Sequence, residues 1–285
     1  MKFSVVMPAR NEEGSLEETL HALVAELRAA EIPSEIIVVD DGSTDDTAAR
    51  VHAFGAANPE VRLVPNRGRN GFGMAVRTGL AEMTGDAVAI MMADGSDRPA
   101  DAIRYYHILA QGRYDCVFGS RFLHDSHLVD YPVHKLLMNR LANWFIKVLF
   151  GYRFNDTTNA FKAYRREVID GIQPLISPHF NLTVEMPLKA IVRGYSYLVI
   201  PIWWVNRKAG ISKLKIREMG SRYLFIILYL WLEKTLARGD YHRRQHAGEA
   251  RADCAPLKCC PGPASESQAG RPRECTAGRP GDTVQ

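Results

Sequence analysis

The apolar run Ala87–Met92 stops at Asp94, with Asp97 three residues on and Pro99 behind it. A carboxylate at the carboxyl end of a strand can hold a hard cation. Mg²⁺ or Mn²⁺ takes one or two protein carboxylates and completes its shell with phosphate oxygens and water. Two residues before Asp94, where a paired-carboxylate site would carry another acid, stands Met92, and a thioether is a weak ligand for such ions. The same residues also suit a plain strand-end turn, with Asp97 as a helix cap and Pro99 in the first helical position. Asp40 and Asp41 end a second apolar run in VVDDGSTDD. The last residue of a strand in an open sheet faces the ligand crevice, where a carboxylate accepts hydrogen bonds from ribose hydroxyls or a base N–H. Asp, Gly and Ser are equally ordinary turn residues. Arg121 in GSRF, and Arg207 and Lys213 in NRKAGISKLK, are cations of the type that recognise phosphate or remain on the surface.

These side chains need a frame that brings them to one place, and the first half supplies an alternating one. FSVVMP reads as a strand. SLEETLHALVAELRAA follows, with Leu16, Leu20, Leu23, Val24 and Leu27 at helical spacing and Ser15 to Glu18 as a capping box. Glu35–Val39 reads as the second strand, before a helix capped by Ser43 or Thr44. VRLVP, a helix in GFGMAVRTGLAEM after a Gly-rich turn, DAVAIMM, a helix in PADAIRYYHILAQG and the strand YDCVFGS continue the pattern. Short links between alternating elements predict a mostly parallel sheet with helices on both faces. Ligands in such sheets bind outside the carboxyl ends of the strands, which selects 8–12, 40–43, 66–73, 94–97 and 119–121.

The second half is more mixed. HKLLMNRLANWFIKVLFG is an amphipathic helix, NDTTNAFKAYRRE a strand leading into a turn, FNLTVEMPLKAIVRG a helix perturbed by Pro187, and SYLVIPIWWV strand-like. A basic stretch then leads to the apolar YLFIILYLWL. From Gly239 the chain is rich in Gly, Pro, Arg and Ser with almost no large aliphatics, a composition that predicts disorder.

Several classes are excluded. A net charge of +4 over 285 residues is too small to imply nucleic acid without a clustered patch. Of five cysteines only Cys116 lies outside the tail, which is no disulfide framework and suits a reducing, cytoplasmic compartment. The first apolar run is too short for a signal peptide, and no segment approaches the roughly 20 apolar residues that span a bilayer. PARNEEGS lacks the G-x-G-x-x-G of a dinucleotide site and RGRNGFG lacks G-K-[ST]. His242, His246, Cys254 and Cys259 have irregular spacing for zinc, so the tail reads as disordered there too.

Taken in order, VVMPARNEEGSLEETL, EIIVVDDGSTDDT, MMADGSDRP, FGSRF, NAFKAYRREVI and NRKAGISKLK resemble the family 2 glycosyltransferases of the GT-A fold, from about Phe3 to Leu236. The likeness is to dolichol-phosphate and polyprenyl-phosphate mannosyltransferases. It implies an α/β, GT-A (nucleotide-diphospho-sugar transferase) fold, a sugar-nucleotide donor, inversion at the anomeric carbon and a divalent Mg²⁺ or Mn²⁺. It also implies roles. Pro8, Arg10 and Glu12 match the first donor loop, with Arg10 where an aromatic often stands. Asp40 matches the nucleoside contact, with Asp41 and Ser43 beside it. Ala93 and Asp94 match the middle and second acid of D-x-D, and Met92 departs from the first. Arg121 matches the arginine of G-S-R, and Arg207, Ser212 and Lys213 the basic loop over the diphosphate and acceptor phosphate.

The expected reaction moves a hexose, mannose from GDP-mannose, to a polyprenyl phosphate. A phosphate monoester is largely ionised at neutral pH, its second pKa being about 6, so positioning and neutralisation of the leaving diphosphate carry the catalysis. Asp97 is the candidate base if the acceptor is instead a hydroxyl of a glycan or glycolipid, the alternative reading, for which a UDP-sugar is an equal donor. A nucleotidylyltransferase would want a basic Gly-rich first loop where ARNEEGS is largely acidic; a non-catalytic nucleotide-binding relative is the reading that Met92 suggests. Residues 1–238 form the expected transferase domain: 1–122 the nucleotide-sugar half, 123–215 the acceptor half, 216–238 an interfacial or edge-covering helix. Residues 239–285 are the expected tail. Arg207, Lys208, Lys213, Lys215, Arg217 and Arg222 precede the apolar helix, which suits a cytoplasmic protein held peripherally at an anionic membrane surface.

Overall fold

Apolar, β-branched runs become strands where their lengths allow, and amphipathic runs between them become helices. In the computed structural model these are β1 (Phe3–Ala9), α1 (Leu16–Ala29), β2 (Ser34–Asp40), α2 (Thr47–Ala57), β3 (Val61–Pro65), α3 (Phe72–Glu82), β4 (Ala87–Ile90) and α4 (Pro99–Ala110). The chain continues through β5 (Cys116–Ser120), β6 (His127–Val129), α5 (Val133–Phe150), β7 (Lys162–Arg165), α6 (Arg166–Gly171) and α7 (Leu182–Val192). It closes with β8 (Tyr197–Pro201), β9 (Trp203–Val205) and α8 (Ile216–Leu236). The structure describes residues 1–129, 131, 133–152, 154–206, 216–237 and 239–243, with the backbone alone at 134, 135 and 216–219. All of these fall within the compact unit Met1–Ala247.

The central sheet has the order β3-β2-β1-β4-β7-β5-β8. Its pairings are parallel except around β7, which runs antiparallel to both β4 and β5. Side chains alternate between the faces, as the strand period of two requires. Val5, Met7, Ile36 and Val38 join Leu16, Leu20 and Leu23 of α1 and Ala102 and Leu109 of α4. Val6, Ile37 and Val39 join Ala75, Val76 and Leu80 of α3, and Leu182 and Met186 of α7, on the other face. A third cluster joins Ile146 and Phe150 of α5, Val184 and Leu188 of α7, and Ile226, Ile227 and Leu230 of α8.

The antiparallel strand matters for function. The chain entering β7 lies at the end of the sheet where β4 and β5 leave it, so the loop 155–161 joins the acids after β4 and the arginine after β5. A small ribbon, β6 paired parallel with β9, closes over the same end, and Trp204 of β9 bridges the backbone of Asp97.

Two expected caps are differently used. Ser15 makes no side-chain capping bond to α1; its hydroxyl donates to the Ala93 carbonyl (3.3 Å) and Glu12 (3.4 Å). α2 begins after Asp46, and Ser43 and Thr44 instead secure Asn11. The Asn11 amide N–H donates to Ser43 Oγ (3.1 Å), and the Thr44 N–H donates to Asn11 Oδ1 (2.8 Å). Polar residues that suit a helix start in sequence cross-link neighbouring loops in space. β7 leads into a helix, α6, rather than only a turn, and α7 runs through the buried Pro187. Residues 239–243, expected as the start of the tail, pack on the domain: Arg243 pairs with Asp115 at 2.8 Å, and the Arg193 guanidinium lies 5.4 Å from the Tyr241 ring centre. The rest of the tail lies outside the described residues.

Candidate active site

The carboxyl ends of β1 to β5 carry all five loops singled out above, with 66–73 joined to 40–43 through the Asn66 N–H, which donates to the Asp40 carbonyl at 2.9 Å. Pro8 is buried in β1, Arg10 is exposed and Glu12 is half-buried, its N–H donating to Thr47 Oγ1 at 2.9 Å. Asp40 is half-buried at the last position of β2, and its Oδ1 accepts the Ser43 N–H at 3.0 Å. Asp41 is buried and committed to structure. Its carboxylate accepts from Asn66 Nδ2 at 2.7 Å and from the Gly71 N–H at 2.9 Å. That bond pins the start of α3. A Cβ at Gly71 or Gly73 would run into the carbonyl oxygens of Pro178 and Ser177, and the Met74 N–H donates to the Pro178 carbonyl at 3.2 Å. The glycines of RNGFG therefore serve close packing between α3 and the chain entering α7.

After β4, Met92 and Asp94 are half-buried and Ala93 is buried. Asp94 Oδ1 accepts the Ser96 N–H at 3.1 Å across a turn that Gly95 completes with a φ of +71°, a left-handed conformation that glycine adopts without steric cost. Asp97 turns inward, 3% exposed, and its Oδ2 accepts the Met92 N–H at 2.9 Å. Burial lifts its carboxyl to about 7; the Met92 bond opposes that rise and the neighbouring Asp94 charge adds to it. The Val205 N–H donates to the Ser96 carbonyl at 3.1 Å, so β9 holds this loop in place.

No group of three or more His, Cys, Asp or Glu that could hold a metal occurs among the described residues. What the protein offers a cation here is Asp94, with Asp97 behind it. That donor set fits a hard ion that brings phosphate oxygens and water to complete its shell. It would not suit an ion needing an all-protein cage.

Arg121 begins the loop after β5 and is 8% exposed, more enclosed than its place at a strand end suggests. Its Nε and Nη2 donate to the two oxygens of Asp156 at 2.8 and 2.7 Å, and its backbone N–H to Asp156 Oδ2 at 2.9 Å. Burial works against its charge, and Asp156 more than offsets that, holding the guanidinium above its ordinary range. The rings of Phe122, Tyr131 and Trp204 surround it, at 5.5, 5.6 and 6.0 Å from ring centre to guanidinium carbon.

Asp156, Asn159 and Lys162 were not singled out by the sequence. Asn159 Nδ2 donates to the Gly119 carbonyl at 3.1 Å. The buried Lys162 ammonium donates to the carbonyls of Thr157 (3.0 Å), Thr183 (3.2 Å) and Asn159. Burial lowers its pKa to about 7, against the nearby Asp156 charge. Asn159 and Lys162 lie in NAFKAYRREVI, a stretch that carries the resemblance but was given no role, and Asp156 in the polar cluster NDTT before it, which reads equally as a turn. Arg207, Ser212 and Lys213 lie outside the described residues, directly after Asn206, whose N–H donates to the Val129 carbonyl at 3.1 Å.

Comparison with known proteins bears on the family and the fold. The family model described as Glycosyl transferase family 2 matches residues 4–172. The chain is 30% identical over 234 residues to a polyprenol monophosphomannose synthase of Mycolicibacterium smegmatis, covering 76% of this chain and 86% of that protein. It is 27% identical over 219 residues to an undecaprenyl-phosphate mannosyltransferase of Micrococcus luteus, covering 75% and 88%. Among solved structures it is similar in fold to glucosyl-3-phosphoglycerate synthase from Mycobacterium tuberculosis in complex with Mn²⁺ and uridine-diphosphate-glucose. There the TM-score is 0.61 at 20% identity, over 82% of this chain and 78% of that one. The α/β architecture expected from the resemblance is thus the one observed.

Proposed function

The chain belongs to glycosyl transferase family 2, and on that footing we propose that it transfers mannose from GDP-mannose to the phosphate of a polyprenyl phosphate, with inversion. The observation that carries the reading is the likeness to a polyprenol monophosphomannose synthase over 86% of that protein's length, which takes in the acceptor half as well as the donor half.

In this reading Pro8, Arg10, Glu12, Asp40, Asp41, Ser43 and Ala93 form the donor site. Asp40 accepts from the nucleoside, while Asp41, through Asn66 and Gly71, keeps the neighbouring loops in register. Asp94 faces the diphosphate and would hold Mg²⁺ or Mn²⁺ jointly with it. A cation there would neutralise the charge that develops on the departing nucleoside diphosphate. Arg121, with Arg207, Ser212 and Lys213 of the basic segment, binds the acceptor phosphate. Its oxyanion is the nucleophile, and the protein's task is to hold it in line with the anomeric carbon.

The burial of Asp97 favours the phosphate acceptor over the hydroxyl one. A hydroxyl needs a general base within hydrogen-bond reach of its proton. Asp97 has a suitable proton affinity, but at 3% exposure, with one oxygen on the Met92 amide, it supports a loop-bracing role. A phosphate monoester needs no such base.

A lipid acceptor must be met at a membrane, and two neighbouring helices support that. α5 exposes Val133, Leu137, Leu141, Trp144 and Val148, spaced three or four apart along one stripe, and α8 exposes Leu224, Leu228 and Leu232. The opposite side of α8 is buried against α7, so the helix both covers the domain and presents an apolar surface. No helix among the described residues is long and apolar enough to cross a membrane. Contact is then interfacial, with the exposed Arg140 and Lys147 on α5 placed to meet anionic headgroups.

The test is a donor comparison at fixed polyprenyl phosphate. Labelled hexose should pass into the lipid fraction from GDP-mannose and not from UDP-glucose or UDP-galactose. Transfer from a UDP-sugar and none from GDP-mannose would overturn the donor assignment.

A further inference from the structure

We propose that Asp156 is a positioning residue for acceptor binding, holding Arg121 by one edge so that the remaining nitrogen, Nη1, is offered to the acceptor phosphate. This rests on the polyprenyl phosphate reading above. A guanidinium has its N–H donors in a fixed planar fork. Asp156 takes the Nε and Nη2 edge at 2.8 and 2.7 Å and also the Arg121 backbone N–H at 2.9 Å. One carboxylate thereby fixes both the main chain and the side chain. Thr158 Oγ1 takes a further bond from Nη2 at 3.3 Å, and the rings of Phe122, Tyr131 and Trp204 restrict the guanidinium plane. Neither Asp156 nor Thr158 uses Nη1; the Tyr131 hydroxyl, which also hydrogen-bonds Arg121, is the neighbour that an arriving phosphate would meet there.

The chemistry that follows differs from that of a surface cation. Asp156 is fully buried and Arg121 nearly so, and their charges balance. Arg121 brings the phosphate a directed hydrogen bond and little net charge, while long-range attraction is left to other cations. Binding through this group should therefore depend weakly on ionic strength, unlike binding through solvent-exposed lysines.

The experiment compares KM for acceptor and donor in two variants, with melting temperature measured alongside. In Asp156→Asn the amide accepts through one oxygen only and sets its own N–H group against the arginine fork. Acceptor KM should rise by roughly tenfold or more, as for loss of a charge-assisted hydrogen bond, with donor KM unchanged. That variant also leaves a buried arginine unpaired, so the second variant replaces both partners, Arg121→Met with Asp156→Met. Exchanging a whole buried pair for apolar residues of similar volume is often neutral or stabilising. The double variant should melt near the unaltered protein and still show the raised acceptor KM. A folded double variant with unaltered acceptor KM would overturn the proposal and make the pair purely structural. A donor KM that rises in step with the acceptor KM in either variant would overturn it too. Failure of the unaltered protein to use any polyprenyl phosphate would overturn the functional reading itself, and is scored separately from the variants.

Discussion

The carboxyl of Asp97 is buried beside Asp94 and Asp101 and receives the Met92 amide N–H. Its folded-state pKa of about 7 against an ordinary 3.8 has a definite sign. Between those values the folded protein keeps a proton that the unfolded chain has released, so stability falls as pH rises from about 4 to 7. Asp97→Asn removes that dependence. With chelator present, the variant should gain on the unaltered protein as pH rises from about 4 to 7, and the difference should then level off. A pH-independent difference would contradict the buried, protonated state. Lys162 runs the other way, because its amine is lowered from 10.5 to about 7 and stabilises progressively above pH 7, but it is present in both proteins. Asp94 is the complementary case. Asp94→Ala should lower turnover by roughly 10² or more, the scale of losing a group that stabilises charge in the transition state, with little change in melting temperature. Near-normal turnover would remove it from the site. Asp40, Asp94 and Arg121 were legible as strand-end residues. Asp156 was not, because it stands 35 positions from Arg121 in a polar stretch that any surface turn could have.

Strands with long apolar runs, such as FSVVMP and EIIVV, and helices with a clear stripe, such as α1, were readable because burial imposes their period. The three-residue β6, and the antiparallel direction of β7, were not. Both are fixed by partners far away in sequence, β6 by β9 and β7 by β4 and β5. That direction is what carries Asp156 and Asn159 to the site end of the sheet. α5 and α8 carry a prediction of their own. Burying a leucine contributes roughly 1.5–3 kcal/mol, so Leu141→Glu or Leu228→Glu should weaken binding to anionic vesicles by about tenfold or more. Transfer to a short, water-soluble isoprenyl phosphate should persist. Vesicle sedimentation beside that soluble assay reads both; unchanged sedimentation would mean that these stripes face something other than lipid.

Over the whole molecule, the mostly parallel sheet, its two helical faces and the use of the loops at its carboxyl end followed from the alternating sequence pattern, while the strand order and the lower limit of the tail did not. Arg243 closes on the buried Asp115 and its N–H donates to the Arg193 carbonyl at 3.0 Å. Chains ending after Arg243 should melt like the full protein, whereas chains ending at Ala237 should lose about 1–3 kcal/mol, the range for a hydrogen bond to a charged group and its unpaired partner. Equal melting of the two truncations would show that Tyr241 and Arg243 do not brace the domain. The central claim concerns the atom that receives the sugar. Polyprenyl phosphate and the matching polyprenol, which lacks only the phosphate, are offered side by side with GDP-mannose and Mn²⁺, and the lipid product is identified by mass and anomeric configuration. The predicted result is a mannosyl phosphate lipid with inverted, β configuration from the first acceptor and no product from the second. Mannose on the polyprenol hydroxyl, or a retained α configuration on the phosphate, would contradict it.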